Sequence, residues 1–176
     1  IQVNEYFQSS LPTVYGIGDC NGKMMLAHAA SAQGVAAAEH ALGHPPCYQP
    51  QTISSCVYTQ PEVASVGMSE LDAKKKGISI HIGTFPLAGN GKALIENGGI
   101  GMIKIVAGSK HKEILGVQIV GPRATDLIGE AALAIRLEAT VDELISTIHG
   151  HPTVSEALGE TAMDLDLGAI HWPPKK

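Results

Sequence analysis

Three prolines in seven residues, His44-Pro45-Pro46-Cys47-Tyr48-Gln49-Pro50, divide the chain. Proline can neither donate to a β ladder nor continue a helix, so no regular element crosses this stretch. A domain border at 48/49 leaves a short piece before it and a long one after. In the short piece, Val14-Tyr15-Gly16-Ile17-Gly18 reads as an apolar strand end that runs into Asp19 and a polar turn, Asn21-Gly22-Lys23. From Met25 to Leu42 the chain is dense in Ala, the best helix former, and Gly43 with the prolines beyond it supplies the stop. One strand end and one helix cannot bury a core. Residues 1–48 therefore read as the last unit of an α/β domain whose body lies outside these residues.

After the prolines the signals change order. Ile53 to Thr59 and Val63 to Gly67 are β-like; Ser69 is placed to cap a short helix that ends at Lys74-Lys75-Lys76 and Gly77. The three lysines complement the negative end of that helix. Ile78-Ser79-Ile80-His81-Ile82 alternates at period two, which puts His81 on the solvent side. Ile100–Val106 and Glu113–Val120 flank the polar turn Gly108-Ser109-Lys110-His111 and make a β-hairpin. Apolar residues from Thr125 to Leu137 form one helical face, and Thr140-Val141-Asp142-Glu143 opens a further helix with a capping box. Strands first and helices after, without βαβ alternation, predict an α+β domain over 49–176: an antiparallel sheet flanked by helices.

Composition supports a folded core, with 44% hydrophobic and only 16% charged residues among 176. Aromatics are 4%, so the core must be packed from Ala, Val, Ile and Leu. A net charge of −5 argues against nucleic acid as a partner. No run approaches the ~18 apolar residues that a membrane-spanning helix needs, and Ile1-Gln2-Val3-Asn4-Glu5 does not read as a signal peptide. The chain does not open with Met, so we expect a fragment or a processed product. Cys20, Cys47 and Cys56 form no C-x-x-C pair and are odd in number, which suits a reducing compartment better than a disulfide framework.

The chemistry concentrates in Ile148-His149-Gly150-His151-Pro152-Thr153-Val154-Ser155-Glu156. Glu156, five residues after His151, can orient its imidazole as a general acid/base pair. Thr153-x-x-Glu156 is equally a capping box that starts a helix over 154–163, and one arrangement can serve both ends. His149 and His151 with a carboxylate are a competing metal reading, weakened because no third ligand has motif spacing. Gly16-Ile17-Gly18-Asp19 carries two glycines of a dinucleotide fingerprint without the third, and Asn21 stands where a small packing residue is needed. Asp19 either caps a turn or, buried at a strand's carboxyl end, accepts bonds from ribose or ribityl hydroxyls. The helix start at Met25-Leu26-Ala27-His28 offers amide donors to an electron-rich ring or an anion.

In their order along the chain these segments resemble the C-terminal part of the flavin-dependent pyridine-nucleotide disulfide oxidoreductases. Tyr15-Gly16-Ile17-Gly18-Asp19 with Met25-Leu26-Ala27-His28 is similar to the family's second flavin-binding motif. Tyr58-Thr59-Gln60-Pro61-Glu62-Val63-Ala64-Ser65-Val66-Gly67 resembles the start of its interface domain, and Ile114-Leu115-Gly116-Val117 through Gly121-Pro122 its hairpin exit. His149 through Glu156 is similar to its catalytic motif. The resemblance implies that His151 takes the proton from a substrate thiol and that Glu156 holds and polarises it. It implies that Asp19 binds flavin hydroxyls, with the amides around Met25, Leu26, Ala27 and His28 near the isoalloxazine edge. FAD and NAD follow as cofactors, the NAD site lying outside this chain. A homodimer through the C-terminal domain follows as well, and so do the lipoyl domains and core of 2-oxo acid dehydrogenase complexes as partners. The setting implied is the bacterial cytoplasm in preference to the mitochondrial matrix.

The chain departs from the whole family pattern in carrying neither the first flavin fingerprint nor the paired redox cysteines nor an NAD module, so alone it is expected to be inactive. Within the family, Ala157 stands where the glutathione branch has a second acid. Ile170-His171-Trp172-Pro173-Pro174-Lys175-Lys176 stands where the mercuric branch ends in a cysteine pair. Both favour the lipoamide branch. Glutathione- or mercuric-reductase-like chemistry, and a stand-alone non-enzymatic dimerisation module, are the alternatives.

Overall fold

The computed structural model describes residues 1–173, so the end of the tail compared with the mercuric branch lies outside the described residues. The chain forms two compact units, Ile1–Ile53 and a second beginning at Ser54. The division falls a few residues beyond the 48/49 border suggested by the prolines.

In the first unit the Ala-rich segment folds as helix α1, Ala27–Ala41, and Gly43 beyond its end takes a φ of 78°. The apolar strand expected at residues 14–18 does not form. A strand needs a ladder, and here Tyr15 finds only an isolated bridge to Gln8 before the backbone enters a 3-10 turn, Gly18–Asn21. Phe7, Ala36 and Ala37 are buried together, with Val3, Tyr15 and Tyr48 against them.

The second unit is built on a five-stranded antiparallel sheet in the order β1-β2-β5-β4-β3. Its strands are β1 Ser55–Val57, β2 Glu62–Gly67, β3 Ile80–Pro86, β4 Met102–Gly108 and β5 Ile114–Gly121. The expected hairpin is the β4–β5 pair, with a register shift at Val106/Ala107, and His81 is exposed on β3 as the alternation requires. Helix α2, Glu70–Lys75, starts at a capping box between Ser69 and Asp72, and Lys74 pairs with Glu70 at 2.8 Å. Helix α3, Gly91–Asn97, had no expectation behind it; Asn90 caps it by accepting from the Ala93 N–H.

Helix α4, Ala124–Arg136, packs on β2 and β5, while helix α6, Glu156–Met163, packs on β3 and β4 and against helix α5, Val141–Ser146. The core between them is aliphatic, with Ile103, Ile105, Val117, Ile119, Ile128 and Leu158 at 2% exposure or less. α6 lies close on β3 because residue 83 is glycine: a Cβ there would stand 2.3 Å from the Thr161 carbonyl oxygen. α4 has no side-chain cap of its own, and Glu62 from β2 accepts from Thr125 N–H and Oγ1 at 3.0 and 2.8 Å instead.

Candidate active site

The loop between α5 and α6 carries no helix or strand until Glu156 opens α6. On it the His151 imidazole projects outward, its side chain 81% exposed, and its Nδ1 lies 2.9 Å from Glu156 Oε1. Glu156 Oε2 accepts the Thr153 N–H at 2.8 Å. The carboxylate therefore serves both readings of the sequence at once, one oxygen for each. Only half of the expected capping box forms. Thr153 Oγ1 donates to Gly150 O at 2.6 Å rather than taking a helix amide, and the helix starts at Glu156 rather than at residue 154. The peptide between His151 and Pro152 is cis.

Burial pushes the Glu156 carboxyl up, but the Thr153 N–H and the His151 imidazole outweigh it and hold the group below the usual glutamate range. Glu156 is thus a fixed anion in the neutral range. An anion facing Nδ1 selects the tautomer with its proton there, which leaves Nε2 as the outward basic nitrogen. Such a pair can remove a proton from a thiol or hydroxyl presented from outside the loop.

The other histidine of the motif turns inward. His149 Nε2 bonds Glu130 Oε1 of α4 at 2.8 Å with a side chain only 9% exposed. His149 and His151 thus face different carboxylates, Glu130 and Glu156. Among the described residues no group of three or more His, Cys, Asp or Glu is arranged to hold a metal ion.

A third pair sits one helical turn along α6. Glu160, 7% exposed, accepts from the Ile170 and His171 N–H groups at 2.8 and 3.1 Å and meets His171 Nδ1 at 2.7 Å. Glu130, Glu160 and Asn90, whose Nδ2 donates to Thr153 O at 3.0 Å, are the residues that sequence reasoning missed. Only Asn90 carried a local signal, as an N-cap type before a short helical run.

In the first unit Asp19 is exposed on the 3-10 turn, the first of its two sequence readings in placement, and is not buried at a strand end. Leu26 is the N-cap of α1 in extended backbone with no side chain capping it; Met25, Ala27 and His28 are exposed. Gly18, at φ 66°, is where the turn meets the helix: a Cβ there would stand 3.0 Å from that of Ala30. The exposed Asp19 carboxylate and a helix start capped by no side chain fit a ligand rich in hydroxyls and acceptor atoms. Cys20, Cys47 and Cys56 are all free, and burial, with Glu62 and Asp126 nearby, raises the Cys56 pKa away from thiolate character.

Residues 53–162 match the pyridine nucleotide-disulphide oxidoreductase dimerisation domain. The chain belongs to this family. It is 46% identical to the dihydrolipoyl dehydrogenase of Bacillus subtilis over 98% of its own length and 36% of that protein's. With the mitochondrial dihydrolipoyl dehydrogenase 1 of Arabidopsis thaliana it shares 44% identity over 97% and 34%. The solved structure of LpdA from Mycobacterium tuberculosis superposes with a TM-score of 0.86 at 30% identity, over 93% of this chain and 36% of that one. The chain thus spans about a third of the length of the relatives it matches, and its sheet and helices are those of the family's dimerisation domain, which joins two copies of a subunit.

Proposed function

We propose that this chain is the dimerisation portion of an NAD-dependent dihydrolipoyl dehydrogenase, with His151 as the acid/base and Glu156 as its partner. The observation that carries the reading is the Thr153–Glu156–His151 relay of 2.8 and 2.9 Å, which presents an outward Nε2 on an exposed side chain. A thiol attacks as its thiolate, so a dithiol substrate needs a base as its sulfur attacks the redox disulfide, which lies outside this chain: one S–S bond breaks as the mixed disulfide forms. Nε2 of His151 accepts the thiol proton, the anionic Glu156 stabilises the resulting imidazolium through Nδ1–H, and the proton returns from Nε2 when the group acts as an acid.

FAD fits the residues of the first unit. Asp19 would accept from its hydroxyls, and the backbone at Met25, Leu26, Ala27 and His28 would face its acceptor edge. When bound, FAD would supply the acceptor for the electron pair that the dithiol passes through the redox disulfide, with NAD as the final acceptor; disulfide and NAD site both lie outside this chain. In the homodimer, His151 of one subunit would serve the redox disulfide of the other. Lipoyl domains of 2-oxo acid dehydrogenase complexes are the matching substrate carriers. The free cysteines suit a reducing compartment, and the bacterial relatives favour the cytoplasm over the mitochondrial matrix.

The test is turnover of dihydrolipoamide with NAD by the full-length protein. His151→Gln is expected to retain flavin and lose about 10²- to 10⁴-fold, the scale of general acid/base loss. Turnover near that of the unmutated protein overturns the assignment.

A further inference from the structure

The base at His151 stands on a loop with no ladder and no helical bonds, yet its Nε2 must be held to a fraction of an ångström to work. The loop's own contacts show what holds it. On the C-terminal side, Asn90 reaches Thr153 O and Val154 is buried at 3% exposure. On the N-terminal side, Ile148 is 96% exposed, whereas the side chain of the polar His149 beside it is only 9% exposed. Within one subunit, then, apolar packing of Ile148 does not orient this stretch. What does is the 2.8 Å bond from His149 Nε2 to Glu130 on α4, with the ring laid against α6 where residue 159 is glycine. A Cβ at Gly159 would stand 3.3 Å from His149 Nδ1, tighter than most real contacts.

We infer that His149 and Glu130 are a positioning pair that fixes the loop so that His151 meets Glu156 on one side and a substrate on the other. The functional half of this rests on the reading of His151 as the acid/base; the structural half does not. The His149 side chain is only 9% exposed and its Nε2 is taken up by Glu130, so it acts through the loop and not on the substrate. Its role is to tie the loop to α4 two residues before His151, as Asn90 ties it two residues after.

The experiment uses the full-length flavoprotein with four variants. His149→Phe keeps a ring and removes the bond; His149→Gln places an amide N–H near the position of Nε2. Glu130→Ala removes the acceptor; Glu130→Gln retains one. Two readouts are taken with folded-dimer and flavin content as controls: steady-state kinetics with dihydrolipoamide and NAD, and the Nδ1–H signal of His151 in histidine-labelled NMR spectra. We expect His149→Phe and Glu130→Ala to lower kcat by about 10²-fold, the effect of a roughly 1 Å misplacement. KM should change little, the His151 Nδ1–H signal should disappear, and the two glutamine variants should recover most of the loss. The double variant His149→Phe/Glu130→Ala should be no worse than either single one, because the residues act as a unit.

Unchanged kcat in His149→Phe overturns the inference. So does a loss that follows folded-dimer content while the His151 Nδ1–H signal persists. If the unmutated protein fails to turn over dihydrolipoamide but His149→Phe still abolishes that signal, the positioning pair stands and only the functional reading falls.

Discussion

Replacing Glu156 by Gln should harm catalysis more than replacing it by Ala, although Gln is the smaller change. The two carboxylate oxygens each face a donor, the Thr153 N–H at 2.8 Å and His151 Nδ1 at 2.9 Å. An amide has only one oxygen. The backbone N–H of Thr153 is always a donor, whereas an imidazole can exchange tautomers, so the Gln oxygen turns to Thr153 and its NH2 to Nδ1. The proton then moves to Nε2 and the outward nitrogen ceases to be a base. In Glu156→Ala the charge-assisted bond to the imidazole is lost, about 1.5–3 kcal/mol or 10- to 10²-fold in rate, but both tautomers remain accessible. In Glu156→Gln the same bond is lost. Restoring the useful tautomer also costs one net neutral bond of about 1 kcal/mol and sets two N–H donors face to face, a further factor of about 5 or more. Stability should run the other way, since Gln keeps the Thr153 bond and Ala does not. The assay is kcat/KM of the full-length enzyme with dihydrolipoamide and NAD, paired with urea denaturation. A Gln variant as active as the Ala variant or more so refutes the tautomer argument.

Four further outcomes test the dyad and the frame around it. Gly83→Ala should destabilise by about 1–3 kcal/mol in urea, because its Cβ would meet the Thr161 carbonyl at 2.3 Å. Gly129→Ala, in the middle of α4 with nothing within 4 Å, should stabilise by about 0.5–1 kcal/mol, and a matched loss at both sites contradicts the packing account. Glu160→Ala removes the acceptor of the Ile170 and His171 amides, whose hydrogen exchange should rise while that of β4 does not; unchanged protection at both amides contradicts it. Because Glu156 has its pKa lowered in the folded state, its contacts stabilise above the unfolded glutamate value and are lost as pH falls through the folded one. The difference in denaturation midpoint between the unmutated protein and Glu156→Ala should therefore be full at neutrality and close in acid; a difference that persists there is contrary.

Elements with local signals were legible. The Ala-rich run to Gly43, the β4–β5 hairpin and the Thr140 capping box each declare themselves within a dozen residues, and the order of strands before helices implied the sheet. His151 and Glu156 were legible for the same reason, five residues apart with a cap between them. What escaped depends on distant partners. The apolar stretch at residues 14–18 has strand composition but no ladder to join, so it ends in a bridge and a 3-10 turn. α3 begins at a glycine, and its cap, Asn90, has its other bond 63 residues away at Thr153. Glu130 and Glu160 look like ordinary polar positions of amphipathic helices until the fold brings His149 and His171 to them.

The central claim is that His151 acts on the thiol substrate and on nothing else, and two half-reactions separate these. Anaerobic stopped-flow reduction of the full-length flavoprotein would be followed once with dihydrolipoamide and once with NADH, for the unmutated protein and His151→Gln. The account expects reduction by dihydrolipoamide to slow about 10²- to 10⁴-fold in the variant while reduction by NADH keeps its rate. Equal slowing of both, or of neither, would contradict it.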